Sequence, residues 1–181
     1  LYGRTVTYLG PLILPLLHEI NSAIIVSFKA LKQGSCLECA YTIIELLTRR
    51  IDSAPAMDIL LFELLTCVCG YFEETVSAKD GNPHHAGYES ECIEALFSFI
   101  YGYLVLCPQV LAASPVLPKI PLLCVACLRA YKECGPVRSA LHVLQGFFNP
   151  VCYPMCTHKK LFLQASLSSV HELVMFSLNG L

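Results

Sequence analysis

The chain has 181 residues, 55% of them hydrophobic and only 14% charged, against roughly 25% charged in ordinary soluble domains. Such a composition calls for either a membrane span or an unusually large buried interface, and the length is sufficient for a real core. Twelve Lys and Arg against fourteen Asp and Glu leave a formal net charge of -2, which excludes a general electrostatic attraction to nucleic acid or anionic lipid. The chain opens at Leu1 rather than Met, and its first residues, LYGRTVTYLG, lack the basic start, apolar middle and small-residue cleavage site of a signal peptide, so the sequence reads as an excised fragment. Eleven cysteines is an odd number. Cys39, Cys67, Cys107, Cys124 and Cys127 fall on apolar helical faces, which suits buried reduced thiols better than a disulfide framework.

Pro11 and Pro15 stand where a helix can begin, and Leu12, Leu16, Ile20, Ile24 and Phe28 then recur mostly every fourth residue. The spacing predicts a first helix over 11–32, closed by Gly34 and Ser35. Ser35 with Glu38 three residues on reads as a capping box for a second helix over 36–51, striped by Leu37, Tyr41, Ile44 and Leu47/Ile51. Pro55 opens a third, to about Ser77, with Leu60, Leu64, Val68 and Phe72 on one ridge and Met57, Leu61 and Leu65 on the next. The segment KDGNPHHAG, 79–87, is dense in turn formers and reads as a mobile loop.

The stretch Cys92 to Cys107, CIEALFSFIYGYLVLC, has no charge after Glu94. Phe97, Ile100 and Leu104 repeat at i, i+3, i+7 beside Ile93, Leu96 and Tyr101, so it is expected to be the central helix, buried on nearly all sides. Pro108 ends it. A short helix is possible at 108–114, and Pro115, Pro118 and Pro121 break the connection that follows. A helix over 119–133 turns Ile120, Leu123, Cys127 and Tyr131 inward and Lys119, Arg129, Lys132 and Glu133 outward. After Gly135-Pro136 the next helix aligns Val137, Leu141, Leu144 and Phe148, ending at Asn149-Pro150, and a last one runs from about His158 to Leu178. Helix pairs starting near 12, 56, 119 and 159 fit two-helix repeats of the HEAT or armadillo kind. The expected fold is all-α, a solenoid of about three to four antiparallel helix pairs, with residues 1–181 forming a single fragment of a larger array.

The uncharged span Ala95 to Pro118 is long enough to cross a bilayer, but Pro108, Gln109 and Pro115 interrupt it. The pairs Cys36/Cys39 and Cys124/Cys127 are 84 residues apart, against roughly 15–20 in a zinc ribbon, and i, i+3 cysteines simply share a helix face. Cys152, Cys156 and His158 lack an evident fourth ligand for a structural zinc site, and His84-His85 reads as a solvated loop pair. No GxSxG, Walker motif, HExxH or facing carboxylate pair occurs. Glu19, Glu45, Glu63 and Glu94 are spaced singly and read as solvated positions. Neither enzyme activity nor a cofactor is expected.

From Leu64 to Pro150 the order of features resembles the C-terminal region of the importin-β (karyopherin-β) superfamily, within it the transportin-SR and Mtr10-like import receptors. The resemblance is carried by LTCVCGYFEETVSAKDGNPHHAGYESECIEALFSFIYGYLVLCPQVL and by VLPKIPLLCVACLRAYKECGPVRSALHVLQGFFNP, with GSCLECAYTIIELL similar to the preceding helix. It implies a HEAT-repeat superhelix that shuttles between cytoplasm and nucleus, binds protein cargo and nucleoporins, and releases cargo to Ran-GTP through N-terminal repeats absent from this chain. In that group an arginine-rich helix reads phosphorylated Arg-Ser cargo, and Arg4 would stand at its tail. No membrane or direct nucleic-acid partner is implied.

Overall fold

Proline and glycine set most of the helix boundaries. The computed structural model of the protein describes residues 10–50, 56–78, 86–149 and 159–179, and every regular element among them is helical. The α-helices are α1 (Leu17–Leu31), α2 (Gly34–Arg50), α3 (Ala56–Ala78), α4 (Ala86–Leu106), α5 (Pro108–Ala113), α6 (Ile120–Ala130), α7 (Cys134–Phe148) and α8 (Lys159–Asn179), with 3-10 segments at Gly10–Leu16 and Leu117–Lys119. Lys32 ends α1 in the left-handed conformation, φ 51°, its N–H donating to the Phe28 carbonyl, the usual way a helix satisfies its last carbonyls. Pro108 ends α4 and stands at the start of α5, where its missing N–H costs nothing.

The helices fall into two layers. In one, α1, α3, α6 and α8 pack in succession; in the other, α2, α4 and α7 do, with α4 making its most extensive contacts to α2 on one side and α7 on the other. The layers meet in one core, where α4 contributes Ile93, Leu96, Phe97, Ile100, Tyr103 and Leu104, each fully buried. Edge-to-face rings tie elements together: Phe28 with Tyr71, Phe72 with Phe97 and Phe147 with Phe162, at centroid distances of 5.2, 5.3 and 5.4 Å. Each such pair adds about 0.5–1.5 kcal/mol beyond the area it buries. On the surface Lys119 Nζ meets Glu73 Oε1 at 2.9 Å and Arg129 meets Glu172 Oε2 at 2.6 Å, clamping α6 and its lead-in to α3 and α8. Both pairs are half exposed and contribute little individually.

Several sequence expectations change. The run Gly10–Leu16 is 3-10 rather than α-helix, and Leu12 and Leu16 are exposed, because Pro15 within it removes an amide donor. Ser35 lies inside the first turn of α2 instead of preceding it. The central helix starts at Ala86, not Cys92, so Ala86 and Gly87 belong to it; the rest of the expected loop, 79–85, falls outside the described residues. Tyr101, expected inside, is 39% exposed. The expected 119–133 helix stops at Ala130, since Tyr131 turns extended. In α7 the phase is shifted: Leu141 and Phe148 are exposed, whereas Ser139, Ala140, Val143, Leu144 and Phe147 are buried. Small and large residues share the inner face there, Ser139 and Ala140 beside Val143, Leu144 and Phe147.

The apolar span from Ala95 does not continue as one helix past Cys107. Among the described residues one segment, Leu14–Leu31, is long and apolar enough to cross a membrane, and only 22% of it is buried.

Candidate functional site

Although α4 is apolar almost all round, it is not sealed on every side. Glu91, Glu94, Ser98, Tyr101 and Val105 are exposed, spaced i, i+3, i+7, i+10, i+14, so they form one narrow stripe along its outer edge. The first four residues of this stripe, Glu91 to Tyr101, are on the floor of a groove of about 590 Å³ walled by α2 and α7. From α2 come Leu37, Glu38, Tyr41 and Thr42, and from α7 Ser139 and His142.

Close packing beneath the groove fixes its shape. Gly102 of α4 is buried under Tyr41, and a Cβ there would stand 2.6 Å from Cδ2 and Cε2 of that ring. Gly34 of α2 meets Ala95 of α4 closely, a Cβ on it falling 3.0 Å from the alanine methyl, and Gly135 at the start of α7 lies against the flexible carboxylate end of the exposed Glu94 side chain. Small residues at these three crossings let α2 and α7 close on α4 and bring their side chains to one rim.

The lining carries three carboxylates, Glu38, Glu91 and Glu94, and no Lys or Arg. Two exposed rings, Tyr101 and His142, face each other across the α4–α7 side at 6.2 Å with a 44° tilt. Thr42 Oγ1 donates to the Glu38 carbonyl at 2.9 Å, a local bond within α2 that keeps its hydroxyl turned to its own backbone. Chemically the groove offers concentrated negative charge beside aromatic faces, the combination that attracts cationic and especially guanidinium groups.

A second cavity of about 390 Å³ lies between α1 and α3, lined by Phe28, Lys29, Lys32, Thr66, Cys67, Gly70, Tyr71 and Glu74. Lys32 Nζ stands 5.2 Å from the Tyr71 ring centroid there. Its mixed charges select no ligand class.

Burial pushes the Cys69 thiol up to about 12 and raises Cys124 and the Tyr103 phenol well above their ordinary values. Cys36, Cys39 and Cys67 are raised too, also chiefly by desolvation. All of these are held protonated and poorly nucleophilic. Among the described residues no group of three or more His, Cys, Asp or Glu is arranged to hold a metal ion.

Of the residues singled out from sequence, Arg4, His84, His85, Cys152, Cys156 and His158 lie outside the described residues. Glu94, read as a solitary solvated acid, is solvated but stands with Glu91 and Glu38 on one rim. The spacing of the few polar positions in α4 held a signal for its exposed stripe; nothing in the linear sequence paired that stripe with Glu38 or His142. No family model, no curated protein and no solved structure matches the chain.

Proposed function

We propose that the chain is a cargo-binding piece of a helical-repeat receptor, an α-solenoid of HEAT-like pairs of the importin-β type that works in protein import into the nucleus. The observation that carries this reading is the groove across α2, α4 and α7, with Glu38, Glu91 and Glu94 around Tyr101 and His142. The succession of helices within each layer supports it, because stacked helix pairs build extended binding faces of this sort. The role is binding rather than catalysis. Its cargo is an extended protein segment rich in arginine, such as an Arg-Ser tract in its unphosphorylated form; the acidic rim disfavours the phosphorylated form. Contacts to nucleoporins and to Ran-GTP belong to the same reading, with Ran-GTP acting through repeats N-terminal to this chain, whereas a role for Arg4 in reading phosphorylated cargo does not follow from this acidic groove.

Fluorescence anisotropy with an Arg-Ser repeat peptide tests it. The unphosphorylated peptide is expected to bind, with affinity falling as salt rises, and its phosphorylated form to bind weakly or not at all. In the protein extended N-terminally by its Ran-binding repeats, Ran-GTP should release the peptide. Binding of neither form, together with indifference to Ran-GTP, would reduce the chain to a helical scaffold of another kind.

A second reading has one observation in its favour, the Leu14–Leu31 segment of sufficient length and hydropathy to span a bilayer. Leu17, Ile24 and Phe28 of that segment are buried in the core, so spanning would require α1 to leave it. Flotation with liposomes distinguishes the two.

A further inference from the structure

Within the groove the side chains divide along the axis of α4. Glu91 and Glu94 stand toward the start of the helix, and Tyr101 lies seven residues beyond Glu94, two turns and roughly 10 Å further on. At that far end His142 of α7 faces Tyr101, the ring centroids 6.2 Å apart and the planes inclined at 44°. Both residues are exposed, Tyr101 at 39%. Tilted instead of stacked in parallel, neither ring covers the other, so aromatic surface stays open to a bound group.

Carboxylates and rings ask different things of a cation. Glu38, Glu91 and Glu94 are exposed, and solvated carboxylates attract any positive charge, lysine or arginine, with modest strength. The rings distinguish the two. A guanidinium is flat, weakly hydrated and stacks on aromatic faces, whereas an ammonium is a compact point charge that holds its water tightly. A gap of roughly 10 Å is spanned by about three residues of extended chain, so one segment can set one basic residue among the carboxylates and another against the rings.

We infer that Tyr101 and His142 form a guanidinium subsite, which makes the groove select arginine over lysine at one position of the bound segment. The subsite rests on the groove's proposed role as a receptor for basic protein segments and gives that role its specificity.

Fluorescence anisotropy on the whole chain tests it with two peptides of equal length and charge, an Arg-Ser repeat and a Lys-Ser repeat, at one pH and one salt concentration. The Arg-Ser repeat is expected to bind roughly fivefold tighter, the scale of a cation–π contact at an exposed site. Tyr101→Leu and His142→Leu should each weaken Arg-Ser binding and leave Lys-Ser binding unchanged, and the double variant should bind the two peptides alike. Tyr101→Phe keeps the ring face and should keep the preference. Circular dichroism checks that every variant is folded. Equal affinity of the unaltered protein for both peptides would overturn the subsite and leave the receptor reading standing, as would a preference for arginine that survives in the double variant. Binding of neither peptide would overturn the receptor reading and the subsite with it.

Discussion

One edge of the Tyr41 ring lies against Gly102, so near that a single added carbon on the glycine would stand 2.6 Å from two of its atoms, Cδ2 and Cε2. This contact sets the distance between α2 and α4 along the groove, and with it the position of the whole α2 wall. Gly102→Ala is expected to destabilise the protein by about 1–3 kcal/mol, the usual cost of overpacking a filled site, even though alanine is the better helix former. Tyr41→Ala in the same molecule should relieve the clash, giving a coupling of about 0.5–3 kcal/mol between the two changes. Urea unfolding of the two single variants and the double variant measures it; strictly additive effects would mean that α2 shifts freely.

Ile100 is fully buried at the centre of α4, with α2 and α7 packed on either side of the helix. Ile100→Asp puts an unpaired carboxylate into that interior at a cost of several kcal/mol, comparable with the stability of an entire domain. Loss of cooperative unfolding and of most of the helical circular dichroism is expected. Glu94→Gln, on the exposed stripe of the same helix, should leave both nearly unchanged.

The contrast between those two positions marks how far the sequence alone could be read. In α6, charged Arg129 and Lys132 flag the outer face, so Ile120, Leu123, Cys127 and Tyr131 were legible as inner residues, and all four are buried. In α7 the expected phase is off: Ser139, Ala140 and Gly146 share the buried face with Val143, Leu144 and Phe147, while Leu141 and Phe148 stand outside. The groove was the least legible feature. Glu38, Glu94 and His142 are far apart in sequence and become neighbours only through the order in which α2, α4 and α7 pack, which periodicity within one helix does not encode.

Stability should fall in alkali. Cys69 titrates near 9.0 when exposed and near 12 when buried, so above about pH 9 the unfolded chain loses its proton while the folded one keeps it. The unfolded state then binds fewer protons, and stability declines as pH rises from 9 towards 12. Cys124 and Tyr103, both raised by burial, act in the same direction. The urea midpoint should drop over that window, and Cys69→Ala should flatten the drop; a midpoint constant from pH 8 to 11 would mean that these groups are wetter than their surroundings imply.

Charge reversal on the groove bears most directly on the receptor reading. Glu91→Lys and Glu94→Lys together turn a rim of three carboxylates into one with two ammonium groups and a single acid, at exposed positions where folding should be untouched. Binding of an unphosphorylated Arg-Ser peptide, measured by fluorescence anisotropy at fixed salt, is expected to fall at least tenfold, a loss of about 1.4 kcal/mol, while the phosphorylated peptide gains affinity. Unchanged binding of both peptides by a folded double variant would contradict a cargo role for this groove.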